Sequence, residues 1–405
     1  MSPSAVPLMR PAGRLGVGAH RSWRHRLHWM TPAWLCVMAA VGLSVVGLLA
    51  IGTTRPELVT KQAVLAVMGL CAAAIITLPS HRMLQRISWP LLALVVALLI
   101  LLLLPGVPEA IVRPRNGARR WINLMVLDFQ PSELAKVAVV LVLATWLRFR
   151  RHHRRLRGLI PPLLIALVPM VLVLLEPDLG TALLFLPTTL AVLIAAGARW
   201  RDMITIALLG LIGAAAMVPL LRPHQRDRIQ AMWAQIQDDV TFQDGIGYQG
   251  ARAMTLVGAG GWSGHGKAES AHLIRWNHLP EEHNDMIFAV IVTRWGLWGA
   301  LLVWGLFGLL LVGGLLTAAN CHEGFGRLVA VGATVLLSAQ MVVNTGMTIG
   351  LMPITGMTLP FVSAGGSSLV VVWLLIGLLF NVGIRPPSRL WREGFEFNDG
   401  QVQHG

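Results

Sequence analysis

Ten apolar runs, each near the length of a membrane-crossing helix, constrain this chain more than any other feature. They fall at 32–52, 62–79, 87–104, 131–147, 159–176, 179–197, 203–221, 286–316, 328–350 and 367–384. A helix needs roughly 20 apolar residues to cross hydrocarbon. Backbone amides in lipid must bond within their own segment, so such runs become helices. Composition agrees, at 55% hydrophobic and 13% charged, with mean hydropathy +0.66. A soluble domain has no use for that much apolar sequence. The expected fold class is an all-α integral membrane protein of about ten transmembrane helices. One long extracytoplasmic loop, 222–285, lies between helices seven and eight. The run 286–316 is long for one bilayer crossing and should extend beyond it.

Charge organises these helices. A net charge of +14 might suggest nucleic acid in a soluble protein. In a membrane protein the better cause is basic loops facing anionic lipid, so no nucleic-acid partner is expected. A basic tail (1–31) precedes a polytopic domain (32–385), and a second tail (386–405) follows. Arg82 and Arg86, the cluster Arg148–Arg157, Arg199, Arg201, Arg327, Arg385, Arg389 and Arg392 all fall on one side if the N-terminus is cytoplasmic. The positive-inside rule then places both termini of a multi-pass membrane protein in the cytoplasm. Cys36, Cys71 and Cys321 have neither disulfide nor metal-ligand spacing.

The outer segments hold the polar chemistry. Arg113, Arg115, Arg119 and Arg120 lie in 105–130 and break the charge rule. They could meet lipid phosphates or neighbouring acids, or grip an anionic ligand such as a pyrophosphate in forked geometry. Glu133 and Lys136 open the fourth run on one helical face. A lysine inside an apolar helix needs a polar cavity or an acid partner. Glu176 and Asp178 flank a Pro-Gly turn. Tyr248 is the single tyrosine, and GAGGWSGHG (258–266) reads as close-packed backbone, since no nucleotide-loop context surrounds it. Ser367 and Ser368 follow a Gly pair and could bond a sugar or phosphate. In LPEEHNDMIFAV (279–290), Asp285 stands where polar sequence meets hydrocarbon. Partial desolvation raises a carboxylate's pKa and suits it to proton transfer, although acids also simply cap helices.

NGARRW (116–121), FQPSELAK (129–136), EPDLGTALL (176–184), QRDRI (225–229), GYQ (247–249), LPEEHND (279–285) and GLMPITGMTLPFVSAGGSS (350–368) follow one another in an order that resembles the SEDS family of RodA, FtsW and SpoVE. The resemblance implies a ten-helix peptidoglycan glycosyltransferase. Such an enzyme polymerises lipid II into glycan strands at the outer face of the cytoplasmic membrane, in elongation or division, beside a class B penicillin-binding protein that acts as transpeptidase. Carried over by motif, Asp285 matches the family's essential aspartate, and Glu281 and His283 its neighbours. Arg119, Arg120, Glu133 and Lys136 match its polar cavity. The resemblance assigns Asp285 the role of general base. Arg119, Arg120 and Lys136 would hold the developing pyrophosphate charge, helped by a divalent cation (Mg or Mn), with no organic cofactor. Substrate contacts would extend to Glu133, Glu281, His283 and Ser367. Asn284, Met286, Thr293, Arg294 and Ala364 depart from the family pattern. A lipid-linked sugar flippase and a non-catalytic scaffold that activates a transpeptidase are the competing classes.

Overall fold

The computed structural model describes residues 30–105, 107–108, 112–115, 118–123, 128–148, 156–217, 219, 223–237, 245 and 247–385. The tail through residue 29, the arginines at 150, 151, 154 and 155, the stretch 238–244 and the tail 386–405 lie outside the described residues. Among the described residues every one of the ten apolar runs becomes a helix. They are α1 (Ala33–Thr54), α2 (Pro56–Ile76), α3 (His81–Leu103), α4 (Pro131–Leu147), α5 (Leu156–Leu175), α6 (Leu179–Ala195) and α7 (Trp200–Met217), then α11 (Ile287–Asn320), α12 (Gly324–Thr348) and α13 (Ser367–Gly383). Six are long and apolar enough to cross a membrane by length and composition, and α6 and α13 are shorter apolar helices.

Capping chemistry sets several boundaries. Ser80 accepts from the Met83 amide at 3.3 Å and Asp178 from the Thr181 amide at 3.2 Å, each satisfying an orphan donor of a first turn. Pro131 opens α4, where a missing N–H costs nothing. α12 packs on α4, α6, α11 and α13 and so forms the hub of the bundle. It links two polar ends. Asn344 lies near one, beside Asp285, and Glu323 precedes the other.

Two features add to the all-helical expectation. The segment before α4 forms a three-stranded antiparallel sheet, β1 (Val112–Arg115), β2 (Ala118–Asn123) and β3 (Asp128–Phe129), in the order β1-β2-β3. The β1–β2 register slips between Arg113 and Pro114, where proline lacks a ladder donor. Val112 and Ile122 bury against Leu102 of α3. Among the described residues, the long loop is also not irregular. It folds α8 (Pro223–Ile236), α9 (Tyr248–Gly260) and α10 (Gly266–Asn277). The overlong 286–316 run proves to be a broken helix, with Gly296 at φ 64°, ψ −154° inside α11.

Candidate active site

Asp285 ends the turn that precedes α11. Asn284 and Met286 donate their amides to the Glu281 carbonyl at 3.0 and 3.3 Å, and Glu281 adopts φ 52° to close the turn. α11 takes no side-chain cap from Asp285. The N-cap position is Met286, and no side-chain hydrogen bond caps the helix there. Asp285 is 6% exposed. Its backbone carbonyl accepts from Asn344 Nδ2 at 2.9 Å. Gln249 Nε2 on α9 lies 3.4 Å from both carboxylate oxygens. Burial pushes the Asp285 carboxyl up to about 7, with Glu281 adding to the rise and its backbone hydrogen bond, Arg228 and Gln249 opposing it. That is the range in which a carboxylate takes a proton effectively at neutral pH.

The residues around Asp285 divide into those held for structure and those held for chemistry. Glu282 is a structural anchor. Arg55 Nε, between α1 and α2, bonds its Oε1 at 2.9 Å. Although burial alone would raise it, His283 beside it, its backbone and Arg55 hold the Glu282 carboxyl near 2. The carbonyls of His283 and Asn284 accept from the Ala364 amide at 2.9 Å and from Ser363 Oγ at 2.6 Å. The departure at Ala364 therefore leaves this contact intact, since only its backbone is used. Glu281, in contrast, stays exposed and accepts from Asn284 Nδ2.

Lys136 and Glu133 form a buried pair at 2.9 Å, 2% and 5% exposed. Lys136 Nζ also donates to Gln340 Oε1 at 3.4 Å, and Gln340 Nε2 to the Thr358 carbonyl at 3.0 Å. One turn along α12, Asn344 Nδ2 donates to the Met357 carbonyl at 2.6 Å as well as to Asp285. This network joins the lysine to the aspartate through α12. Ser367 Oγ accepts the Gln130 amide at 3.2 Å, which is a structural contact between α13 and the start of α4.

The two adjacent arginines separate. Both lie on β2, and successive strand side chains point to opposite faces. Arg119 turns to the Leu104 and Val107 carbonyls at 3.3 and 2.7 Å. Arg120 turns to the Glu176 carbonyl at 2.8 Å and to the Pro177 carbonyl. Only Arg120 joins the acidic turn between α5 and α6. There Asp178 Oδ2 accepts from Gln130 Nε2 at 3.1 Å. Glu176 is 2% exposed, and among the described residues neither of its carboxylate oxygens has a hydrogen-bond partner. Burial first, then Asp178, pushes its carboxyl up to about 9 against the pull of Arg120.

Arg228 on α8 was not among the residues singled out by sequence, although QRDRI contains it. Burial, then Arg120, lowers its pKa, while Asp285 and Asp178 raise it, so it lies within electrostatic reach of all three. It lines a small cleft with Ala231, Met232, Gly247, Met352, Pro353 and Ile354. Gly356 stands where this loop passes Asp285; its φ of 73° calls for glycine, while a Cβ there would meet Oδ2 only in ordinary contact at 3.9 Å. Arg228 and Gln249 carried a sequence signal only as members of short motifs. Among the described residues, no three His, Cys, Asp or Glu side chains gather as a metal cage.

Comparison with known proteins matches residues 25–385 to the FtsW, RodA and SpoVE family, described as cell cycle protein. The chain is 33% identical over 368 residues to a probable peptidoglycan glycosyltransferase FtsW of Legionella pneumophila, covering 86% of this chain and 90% of that protein. It is 33% identical over 299 residues to the stage V sporulation protein E of Bacillus subtilis, covering 73% and 79%. Among solved structures, a chain of a peptidoglycan synthase complex that coordinates polymerization and crosslinking superposes with a TM-score of 0.72 at 31% identity, covering 86% of this chain and 96% of that one. The rod shape determining protein RodA of Thermus thermophilus superposes at 0.64 with 29% identity, covering 87% and 97%.

Proposed function

The chain belongs to the FtsW, RodA and SpoVE family of cell cycle proteins, and we propose that Asp285 is the general base of its reaction. It is a peptidoglycan glycosyltransferase built as a multi-pass membrane protein. The observation that carries the assignment is a buried carboxylate, 6% exposed and pushed up to about 7 by burial, within hydrogen-bond reach of Gln249 and electrostatic reach of Arg228. The substrate class is a lipid-linked sugar, lipid II, whose leaving group is a pyrophosphate. Asp285 takes the proton from the acceptor sugar hydroxyl as that oxygen attacks the donor's anomeric carbon. Arg228 and Arg120 supply positive charge where the pyrophosphate departs. Lys136 is committed to Glu133 and Gln340, so its part is to hold α4 and α12 in register beneath the site.

A divalent cation, when bound, would neutralise phosphate charge. The described residues offer no cage for one, so it would enter held by one or two carboxylates and the substrate's own phosphates. The Asp285 end of the bundle faces outward in this reading, with both termini in the cytoplasm of the inner membrane. The membrane partner is a class B penicillin-binding protein. The kinship with a chain from a complex that coordinates polymerization with crosslinking supports this partner.

The test is Asp285→Asn in a polymerisation assay with purified full-length protein, its transpeptidase and lipid II. Glycan strand formation should fall by roughly 10²–10⁴-fold, the usual contribution of a general base. Polymerisation at the wild-type rate would remove the assignment. Movement of lipid without polymer in the wild type would favour a flippase, and neither activity a scaffold.

A further inference from the structure

Two sequence motifs without an assigned task, GYQ and GAGGWSGHG, lie at opposite ends of α9. At the far end, the turn between α9 and α10 is spliced into the break in α11. In an unbroken helix the Leu297 amide would bond the Thr293 carbonyl. Here it donates to the Gly261 carbonyl at 2.9 Å. The freed Thr293 carbonyl accepts from the His265 amide at 3.0 Å and from Ser270 Oγ at 3.2 Å. Thr293 Oγ1 in turn donates to the Leu256 carbonyl at 3.2 Å. The backbones touch. A Cβ at Gly260 would fall 2.3 Å from the Val292 oxygen, and one at Gly264 or Gly296 within 2.4 Å of the opposite chain. Both members of the Leu297–Thr293 pair opened by the break are thereby satisfied, and α9 is bolted to α11 at one end.

At the near end, the first turn of α9 reaches the turn that carries Asp285. Tyr248 Oη donates to the His278 carbonyl at 3.4 Å and Gln249 Nε2 to the Pro280 carbonyl at 3.5 Å. The same Nε2 lies 3.4 Å from each Asp285 carboxylate oxygen. Each contact is at the long end of the hydrogen-bond range and would hold little alone. A helix fixed at its far end presents them together.

We propose that Gln249 is a positioning residue for Asp285, held in place by the splice of α9 into α11 and orienting the carboxylate through its side-chain amide. The inference rests on the reading of Asp285 as the base. An amide suits the task because it donates to a carboxylate and does not itself titrate. Donation favours the ionised form, which is the form that accepts a proton. The charged groups bearing on Asp285 are Glu281 from its own turn and Arg228 from α8. α12 presents the uncharged Asn344, and the 351–366 loop presents Gly356. Arg55 engages Glu282, and Arg252 stacks on Tyr248, 4.9 Å from its ring centroid.

The experiment measures kcat and KM for lipid II from about pH 5.5 to about pH 9, where the base titrates. It uses the full-length protein with its transpeptidase, as wild type, Gln249→Leu, Gln249→Glu and Asp285→Asn. Losing the donor should move the acid limb of the Gln249→Leu profile upward by about half a unit to one unit, with most of the rate regained at high pH. The added carboxylate of Gln249→Glu should move the limb further, with KM little changed in both. Gln249→Glu keeps the shape of the side chain, so it carries the reading if Gln249→Leu does not fold. A loss uniform across pH marks a merely structural role and overturns the proposal, as does an unchanged profile. If Asp285→Asn is inactive while both Gln249 variants follow the wild type, only the Gln249 inference fails. If Asp285→Asn is active, the base assignment fails with it.

Discussion

The two polar ends of α12 answer the same physical problem in opposite ways. At the Glu323 end, charge is matched. His81 Nδ1 lies 2.5 Å from Glu323 Oε2, Gln85 Nε2 donates to Oε1 at 3.5 Å, and Arg148 donates to Gln85 Oε1. The bond from His81, ahead of the cost of burial, holds the Glu323 carboxyl below its ordinary range. At the Asp285 end, charge is mismatched. Asp285 and Glu176 are pushed up to about 7 and about 9, and among the described residues Glu176 has no hydrogen-bond partner for either carboxylate oxygen. A buried carboxylate left short of partners costs stability, and such groups concentrate where chemistry is done. The matched end is a latch between α3, α4 and α12. On the proposed function, the mismatched end keeps its groups available for a substrate.

That comparison can be broken or sharpened at three levels. The largest effect should come from Arg228→Ala, which removes charge from the mismatched end. Polymerisation efficiency should drop on the order of 10²-fold, as for loss of one transition-state donor, with the thermal midpoint in detergent preserved. A fall in midpoint with activity per folded molecule intact would make Arg228 a structural residue.

Next is the effect of pH on stability. Asp285 has a folded pKa raised from 3.8 to about 7, so the folded state binds the extra proton. Its cost is absent below about pH 4, grows through the window to about pH 7 and is complete above it. Asp285→Asn should therefore be more stable than wild type by on the order of 1–3 kcal/mol at neutral pH, with the gap closing as pH falls. Thermal unfolding of both proteins between these limits reads the gap directly, and a gap independent of pH would refute the buried charge.

The smallest effect should come from Glu323→Gln. The depressed carboxyl contributes stability that is present above its ordinary value of 4.5 and is lost as pH falls through the folded one. Its side chain is half exposed, so the loss at neutral pH should be only about 1 kcal/mol. Polymerisation should stay within about twofold, since the proposed reaction is placed at the opposite end of α12. A large loss of activity here would show that the two ends are coupled through α12.

Some of this was legible in the residues alone. The ten apolar runs determined ten of the helices among the described residues, because lipid-facing backbone must bond within its own segment. The desolvation of Asp285 was readable from its place between a polar stretch and Met286–Val290, all of which are buried. The ordered motifs determined the family. The tertiary structure decided which polar groups meet. Arg119 and Arg120 read as one clamp, yet a short strand sends them to opposite faces. Gln249 approaches Asp285 across 36 residues of chain, and Arg120 meets the Glu176 carbonyl across 56. Helical and strand periodicity report only a segment's own faces, so they cannot register such meetings. The long run after Asp285 read as one helix because apolarity alone does not reveal a break. Gly296 breaks it only because the glycine-rich turn of α9 and α10 supplies the bonds that the break would otherwise leave unmade.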